Sequence, residues 1–270
     1  MFKQKIKLAV YVSVICFMFC SPGYAEQDIT QAEVQNIVAK AQAGDAQAQT
    51  ILGNLYFYGE GVQQDYTQAA GWFAKATQQG EVEGTFSLGY MMARGMGVPK
   101  DTGAAITVLN MAAEAGNLDA NYELGLLAQG GEAGEPDYEA AASFYMKSAE
   151  KGHGPSTCAI ATLVYEGLGM PQDFNSAREG FEEAVKQGSD DAMYSLGYMA
   201  ENGEGGPVDM PRAVKYYTMA VENGNSAGMY SLGLCYENGA GVEKNLEKAM
   251  TYYSMAADMG DEDALARIKK

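Results

Sequence analysis

From residue 46 onward, apolar and small residues return at helical spacing, stop at glycine, and begin again with a period of 36 residues. Ala48, Leu52, Leu55 and Tyr56 share one helical face, which predicts an amphipathic helix over 46–58. Gly59-x-Gly61 ends that helix with residues free to take positive φ. Asp65 follows, echoed by Asp101, Asp137, Asp173, Asp209 and Asn245; Asp and Asn are N-cap residues, so a second helix is predicted to start here. It would bury Ala69, Phe73 and Ala76 and end at Gly80. That closing glycine recurs without slip at Gly44, Gly116, Gly152, Gly188, Gly224 and Gly260. The repeating unit is a helix hairpin, which cannot bury its own apolar face, so neighbours must stack. A fixed period of roughly 20–50 residues is the mark of a solenoid.

Two columns of the first helix stay small throughout. The position of Ala48 holds Gly84, Ala120, Ser156, Ala192 and Gly228, and the position of Gly53 is Gly or Ala in every repeat. Each helical glycine costs up to about 1 kcal/mol in propensity, so close helix packing is expected in return. The pattern Leu-Gly-x-x-Tyr, Gly-x-Gly-Val, Asp, Ala-x-x-Trp-Phe, Ala, Gly closely resembles the Sel-one-like repeat family, a relative of the tetratricopeptide repeats, over about 46–260. The resemblance implies an all-α, right-handed α-solenoid and a protein-interaction role. The expected organisation is a signal peptide (1–25), an N-terminal capping helix (26–44), six repeats (45–80, 81–116, 117–152, 153–188, 189–224, 225–260) and a C-terminal capping helix (261–270). Two repeats depart from the pattern. Ile160-Ala161 replaces Leu-Gly and Gly180 replaces an aromatic; Ala133 replaces a loop glycine and Pro136 precedes a cap. These departures mark the stretch 130–180 as the softest or the most specialised part.

The ends read as caps. Asp28 to Ala43 is predicted as one amphipathic helix with Val34, Ile37 and Val38 turned inward. Asp261 to Lys269 repeats only the start of a first helix, with Leu265 and Ile268 over the last repeat. Before them, Lys3, Lys5 and Lys7 precede an apolar run from Leu8 to Phe19, then Ser21-Pro22 and Gly23-Tyr24-Ala25. That is the three-part pattern of a secretory signal peptide with cleavage after Ala25, and the run is too short to span a bilayer. Phe19 is bulky where a lipid anchor on Cys20 would need a small residue. A mature protein in the periplasm or secreted, without a permanent membrane span, is expected.

Charge narrows the partners. Lys and Arg total 18 against 35 Asp and Glu, a net charge of −17 that becomes −20 once the three leader lysines are gone. Such a surface repels nucleic acid and anionic lipid and suits basic partners. Cleavage leaves two cysteines, Cys158 and Cys235, two repeats apart. Stacked helix pairs advance by about 10 Å each, beyond the roughly 7 Å Cα separation a disulfide spans, so two buried free thiols are expected.

Apparent catalytic signatures dissolve on inspection, and no catalytic, metal or cofactor residues are expected. The glycine loops lack the strand that a phosphate-binding loop requires. His153 is the one histidine and reads as turn filler. Ser148-Ala149-Glu150-Lys151 matches the S-x-x-K signature of penicillin-recognising enzymes, without its companion motifs and in a column of alanines that should be internal. Asp261, Glu262 and Asp263 resemble a calcium cluster but sit where acids cap a helix.

The column of Phe86, Tyr122, Tyr194 and Tyr230 is one the family places in the core. The columns of Asn54, Tyr90, Leu126, Tyr198 and Leu234, and of Tyr58, Arg94, Glu166, Asn202 and Asn238, vary in polarity from repeat to repeat. With the column of Ile51 and Glu123 they form one continuous helix face. In a solenoid the first helices line the concave surface, so partner contacts are expected at Asn54, Tyr58, Tyr90, Arg94, Glu123, Leu126, Tyr198, Asn202, Leu234 and Asn238. The reading is a non-catalytic, monomeric adaptor for a protein partner, with no cofactor. One alternative is an immunity protein against a secreted antibacterial effector, a role of some family members. Another is a β-lactamase-like hydrolase, disfavoured because the paired cysteines of those members are missing here.

Overall fold

A computed structural model describes residues 29–132 and 134–269. The expected leader, its cleavage point after Ala25, and Ala133 lie outside the described residues. Fourteen α-helices and no strand occur among the described residues, in the arrangement of an all-α solenoid. They are α1 (Gln31–Gln42), α2 (Ala46–Tyr58), α3 (Tyr66–Gln78), α4 (Val82–Arg94), α5 (Thr102–Glu114), α6 (Leu118–Gln129) and α7 (Tyr138–Ala149). There follow α8 (Gly154–Glu166), α9 (Phe174–Lys186), α10 (Asp190–Asn202), α11 (Met210–Glu222), α12 (Ser226–Asn238), α13 (Leu246–Asp258) and α14 (Glu262–Ile268). The chain divides into two compact halves, one ending at Leu124 and the other starting at Gly125.

In the first half α1 to α5 pack in series, each on its neighbour in the chain, and α2 also touches α4. In the second half α7 to α14 do the same, with α8 touching α10. Within each half, first helices thus form one layer and second helices another. Every second helix of the repeats is capped by the predicted residue: Asp65, Asp101, Asp137, Asp173, Asp209 and Asn245 each accept from a backbone N–H of the first turn. The first helices are capped by a more varied set. His153 accepts at Nδ1 from the Ser156 N–H at 3.3 Å, so it is a helix cap and not turn filler. Asp261 likewise caps α14 through the Ala264 N–H at 2.8 Å. The N-terminal cap helix begins three residues later than predicted, because Thr30 and Glu33 form a reciprocal capping box.

The small columns answer to the second helices. A Cβ added at Gly53 would stand 2.5 Å from the Phe73 ring, and one at Gly197 2.5 Å from Tyr217. In the α8–α9 hairpin the arrangement is reversed. Ala161 carries the Cβ, and Gly180 opposite leaves space for it, 2.9 Å from where its own Cβ would be. The two departures in that repeat are one compensated exchange. The second loop glycine is more than a turn former. At Gly97, φ is +70° and a Cβ would lie 2.2 Å from the carbonyl of Tyr66, at the start of the preceding hairpin's second helix.

α1 lies in register with the second helices, and the columns of Ala69, Phe73 and Ala76 become Glu33, Ile37 and Lys40 there. Glu33 and Lys40 are exposed, which suits a helix with no first-helix partner of its own.

Candidate interaction surface

On each first helix, the column of Gly53 faces the second helix, and the columns of Asn54, Tyr58 and Ile51 fall on the opposite side of the cylinder. The ten predicted contact residues lie on that side, but they differ in what they offer to a partner.

In the first half, Asn54, Tyr58 and Tyr90 are half-buried and Arg94 is exposed. The Arg94 guanidinium lies 3.7 Å over the Tyr90 ring, and its Nη2 donates to Glu123 Oε2 at 2.9 Å. Tyr90 also meets Phe86 and Phe57 at ring separations of 6.2 and 6.4 Å. Burial, then Tyr90 and Glu60, raises the Tyr58 hydroxyl above the ordinary tyrosine range. Glu123 corrects the expectation of an open contact surface: its side chain is only 10% exposed. A carboxylate is costly to bury alone, and Arg94 supplies a counter-charge.

In the second half, Tyr198 is 42% exposed, and its carbonyl accepts from Asn202 Nδ2 at 2.9 Å. Asn202 and Asn238 are exposed, while Leu126 and Leu234 are half-buried. Leu234 packs on the terminal apolar cluster with Tyr230 and Tyr236. Tyr165, next to Glu166 of the stripe, donates to Glu204 Oε2 at 2.7 Å.

The column of Phe86, Tyr122, Tyr194 and Tyr230 is half-buried rather than core. Rings of this column lie against the hairpin interior, as in the 5.9 Å approach of Tyr194 to Tyr217 and the 5.6 Å approach of Tyr230 to Tyr253. A tyrosine at this column can bury its ring without stranding its hydroxyl only by staying at the edge.

Ser148 is fully buried, in the column that other repeats fill with alanine. Cys158 and Cys235 are buried, free thiols. Among the described residues, no group of three or more His, Cys, Asp or Glu is placed to hold a metal ion. Nor, among them, is any helix long and apolar enough to cross a membrane.

The Sel1 repeat profile matches residues 46–81, 82–117, 118–153, 156–189, 190–225 and 226–261. The chain belongs to the Sel1 repeat family. No curated protein sequence matches it. Among solved structures, a Sel1 repeat protein from Oxalobacter formigenes is 26% identical over 85% of this chain and all of its own, with a TM-score of 0.76. A protective antigen of uropathogenic Escherichia coli with an SLR fold is 33% identical over 98% of this chain, with a TM-score of 0.66. This chain spans 56% of that antigen's length. An immunity protein from Pseudomonas aeruginosa, 18% identical over 85% of this chain and 83% of its own at a TM-score of 0.55, shares the fold. Sel1 repeats are protein-interaction scaffolds.

Proposed function

We propose that this Sel1 repeat chain is an exported, non-catalytic adaptor that holds a protein partner on the outward side of its first helices. The observation that carries the reading is the stripe itself: polar and aromatic residues, with Tyr198 exposed, occupy the helix side away from the small column of Gly53. Aromatic side chains in such a place are the usual anchors of an interface. Export rests on the leader pattern of residues 1–25. A photo-crosslinking residue placed at Tyr198 should capture a partner from periplasmic extract, whereas the same residue at Met250, on a second helix, should not. Tyr198→Ala should weaken that partner at least about tenfold, or about 1.4 kcal/mol. Capture from Met250 alone would place the interface elsewhere. Affinity unchanged by Tyr198→Ala, together with a steep loss on added salt, would move it to the acidic loops around Glu132 and Glu204.

A narrower reading, inhibition of a secreted antibacterial effector, is supported by the leader and the acidic surface. Protection of cells that express an effector from a neighbouring gene, dependent on export of this chain, tests it. The hydrolase reading has the S-x-x-K match alone behind it. Nitrocefin turnover should be at background, and Ser148→Ala should leave it there.

A further inference from the structure

The cations of this protein are sorted between its two helix layers. In the second half, the first helices α8, α10 and α12 carry Glu166, Asp190, Asp191, Glu201 and Glu237 and no Lys or Arg. From 154 to 258 every Lys and Arg is on a second helix, as with Arg178, Lys186 and Arg212, or in the loop before α13. Several second-helix charges pair with one another: Arg178 and Arg212 share Glu182 at 3.1 and 2.7 Å, and Lys186 holds Glu183 at 2.8 Å, while Lys248 stands 5.1 Å over the first-helix Tyr236 ring. Arg267 of α14 does reach the first-helix layer, but Glu237 holds it at 2.7 Å.

The first half shows what this surface does with a cation. Arg94 is the one Lys or Arg on the six first helices. It lies flat on Tyr90 and pairs with a carboxylate. Tyr198 stands in the same column three repeats on, but the position of Arg94 is Asn202. The tyrosine is left 42% exposed, and Asn202 turns back to the Tyr198 carbonyl. Carboxylates stand close by. The Tyr165 hydroxyl is bonded to Glu204, and both Tyr198 and Glu166 lie near enough to raise it further, after burial and Glu204. An aromatic face with carboxylates beside it attracts Arg or Lys through both the ring quadrupole and charge.

We infer that the first-helix side of α8, α10 and α12 takes a Lys- or Arg-bearing segment of a protein partner, with one cationic side chain over Tyr198 and its charge met by Glu166 and Glu204. The inference rests on the proposed use of the first-helix side and names the chemistry of what binds there.

The probe is a short fluorescein-labelled peptide of alternating Arg and Leu, beside the same peptide with Gln for Arg. Binding is read by fluorescence polarisation at low salt, and the footprint by hydrogen exchange. The Arg peptide should bind about tenfold tighter than the Gln peptide and protect α8, α10 and α12. Tyr198→Ala, and Glu166→Gln with Glu204→Gln, should each weaken it about fivefold or more, while Tyr198→Phe should not. Glu183→Gln with Asp258→Asn, on the second helices, should leave it unchanged. Equal losses from both carboxylate pairs would reduce the effect to general acidity and overturn the inference. A Gln peptide that binds as tightly, with the same dependence on Tyr198, would overturn the cationic chemistry and leave the interaction side standing. Arg-peptide protection confined to the second helices would overturn both.

Discussion

Across the α10–α11 hairpin, Tyr217 donates its hydroxyl hydrogen bond to Glu201 Oε2 at 2.6 Å. The same pairing joins Tyr253 to Glu237, and Tyr145 donates to Gln129 Oε1 at 2.9 Å. Where the second helix offers Phe73, Leu109 or Phe181, the paired position holds Phe57, Ala93 or Tyr165. A buried tyrosine thus coincides with an acceptor 16 residues earlier. Tyr217→Phe should cost about 1–2 kcal/mol by leaving a half-buried carboxylate without its donor, and adding Glu201→Ala should recover part of it. Burial, then Glu201, raises the Tyr217 hydroxyl well above its ordinary range. Its stabilising contribution is therefore full below about pH 10 and is lost as pH rises above that value. Denaturant titrations of wild type and variant at neutral and alkaline pH should converge at the alkaline end.

Arg94 and Glu123 form a pair whose members are unequal, since the Glu123 side chain is 10% exposed and that of Arg94 37%. Arg94→Ala removes the counter-charge from the more buried member and should destabilise by about 2 kcal/mol. Adding Glu123→Ser, the residue at Ser87, Ser195 and Ser231 in this column, should restore most of that. Chemical denaturation of the two variants tests the order; a double variant weaker than the single would refute it.

Gly97 and Gly80 both have positive φ, +70° and +75°, but a Cβ at Gly80 meets nothing within 4 Å. Gly80→Ala should cost the left-handed strain alone, about 1–2 kcal/mol. Gly97→Ala adds a backbone collision between repeats and should cost clearly more. Melting temperatures of the two variants, measured side by side, decide it.

Burial pushes the thiols of Cys158 and Cys235 up to about 11. At neutral pH neither should react with a thiol reagent in the native chain. In denaturant without reductant, protein lacking residues 1–25 should return two thiols per chain. A result of none would mean a disulfide that this structure does not contain.

Glu83 is the carboxylate for a pH test. Burial, then Asp119 and Glu81, raises its carboxyl above the ordinary range, against the opposing hydrogen bond from Asn117 at 3.2 Å. A raised folded value means the fold prefers the protonated form, so its contribution is present at low pH and lost as pH rises through that value. Glu83→Gln should therefore melt higher than wild type at pH 7, with the gain shrinking toward about pH 4. A gain independent of pH would assign the effect to packing.

The repeat, its two helices, the caps at Asp65 and its echoes, and the register of the glycines were all determined by the sequence alone. They are local: a side chain capping its own helix, or a glycine ending it, depends on residues a few positions away and repeats wherever the phrase does. The candidate stripe was legible as a helix face for the same reason. Exposure along it was not. Glu123 is buried because Arg94 lies 29 positions earlier on the neighbouring first helix, and Tyr198 is open because Asn202 stands where an arginine would cover it. The exchange of Ala161 against Gly180, and the collision that reserves Gly97 for glycine, likewise lie between helices. Tertiary structure decided these, because burial and charge pairing depend on which side chains meet across a helix interface, and periodicity gives the face of a residue but not its neighbour.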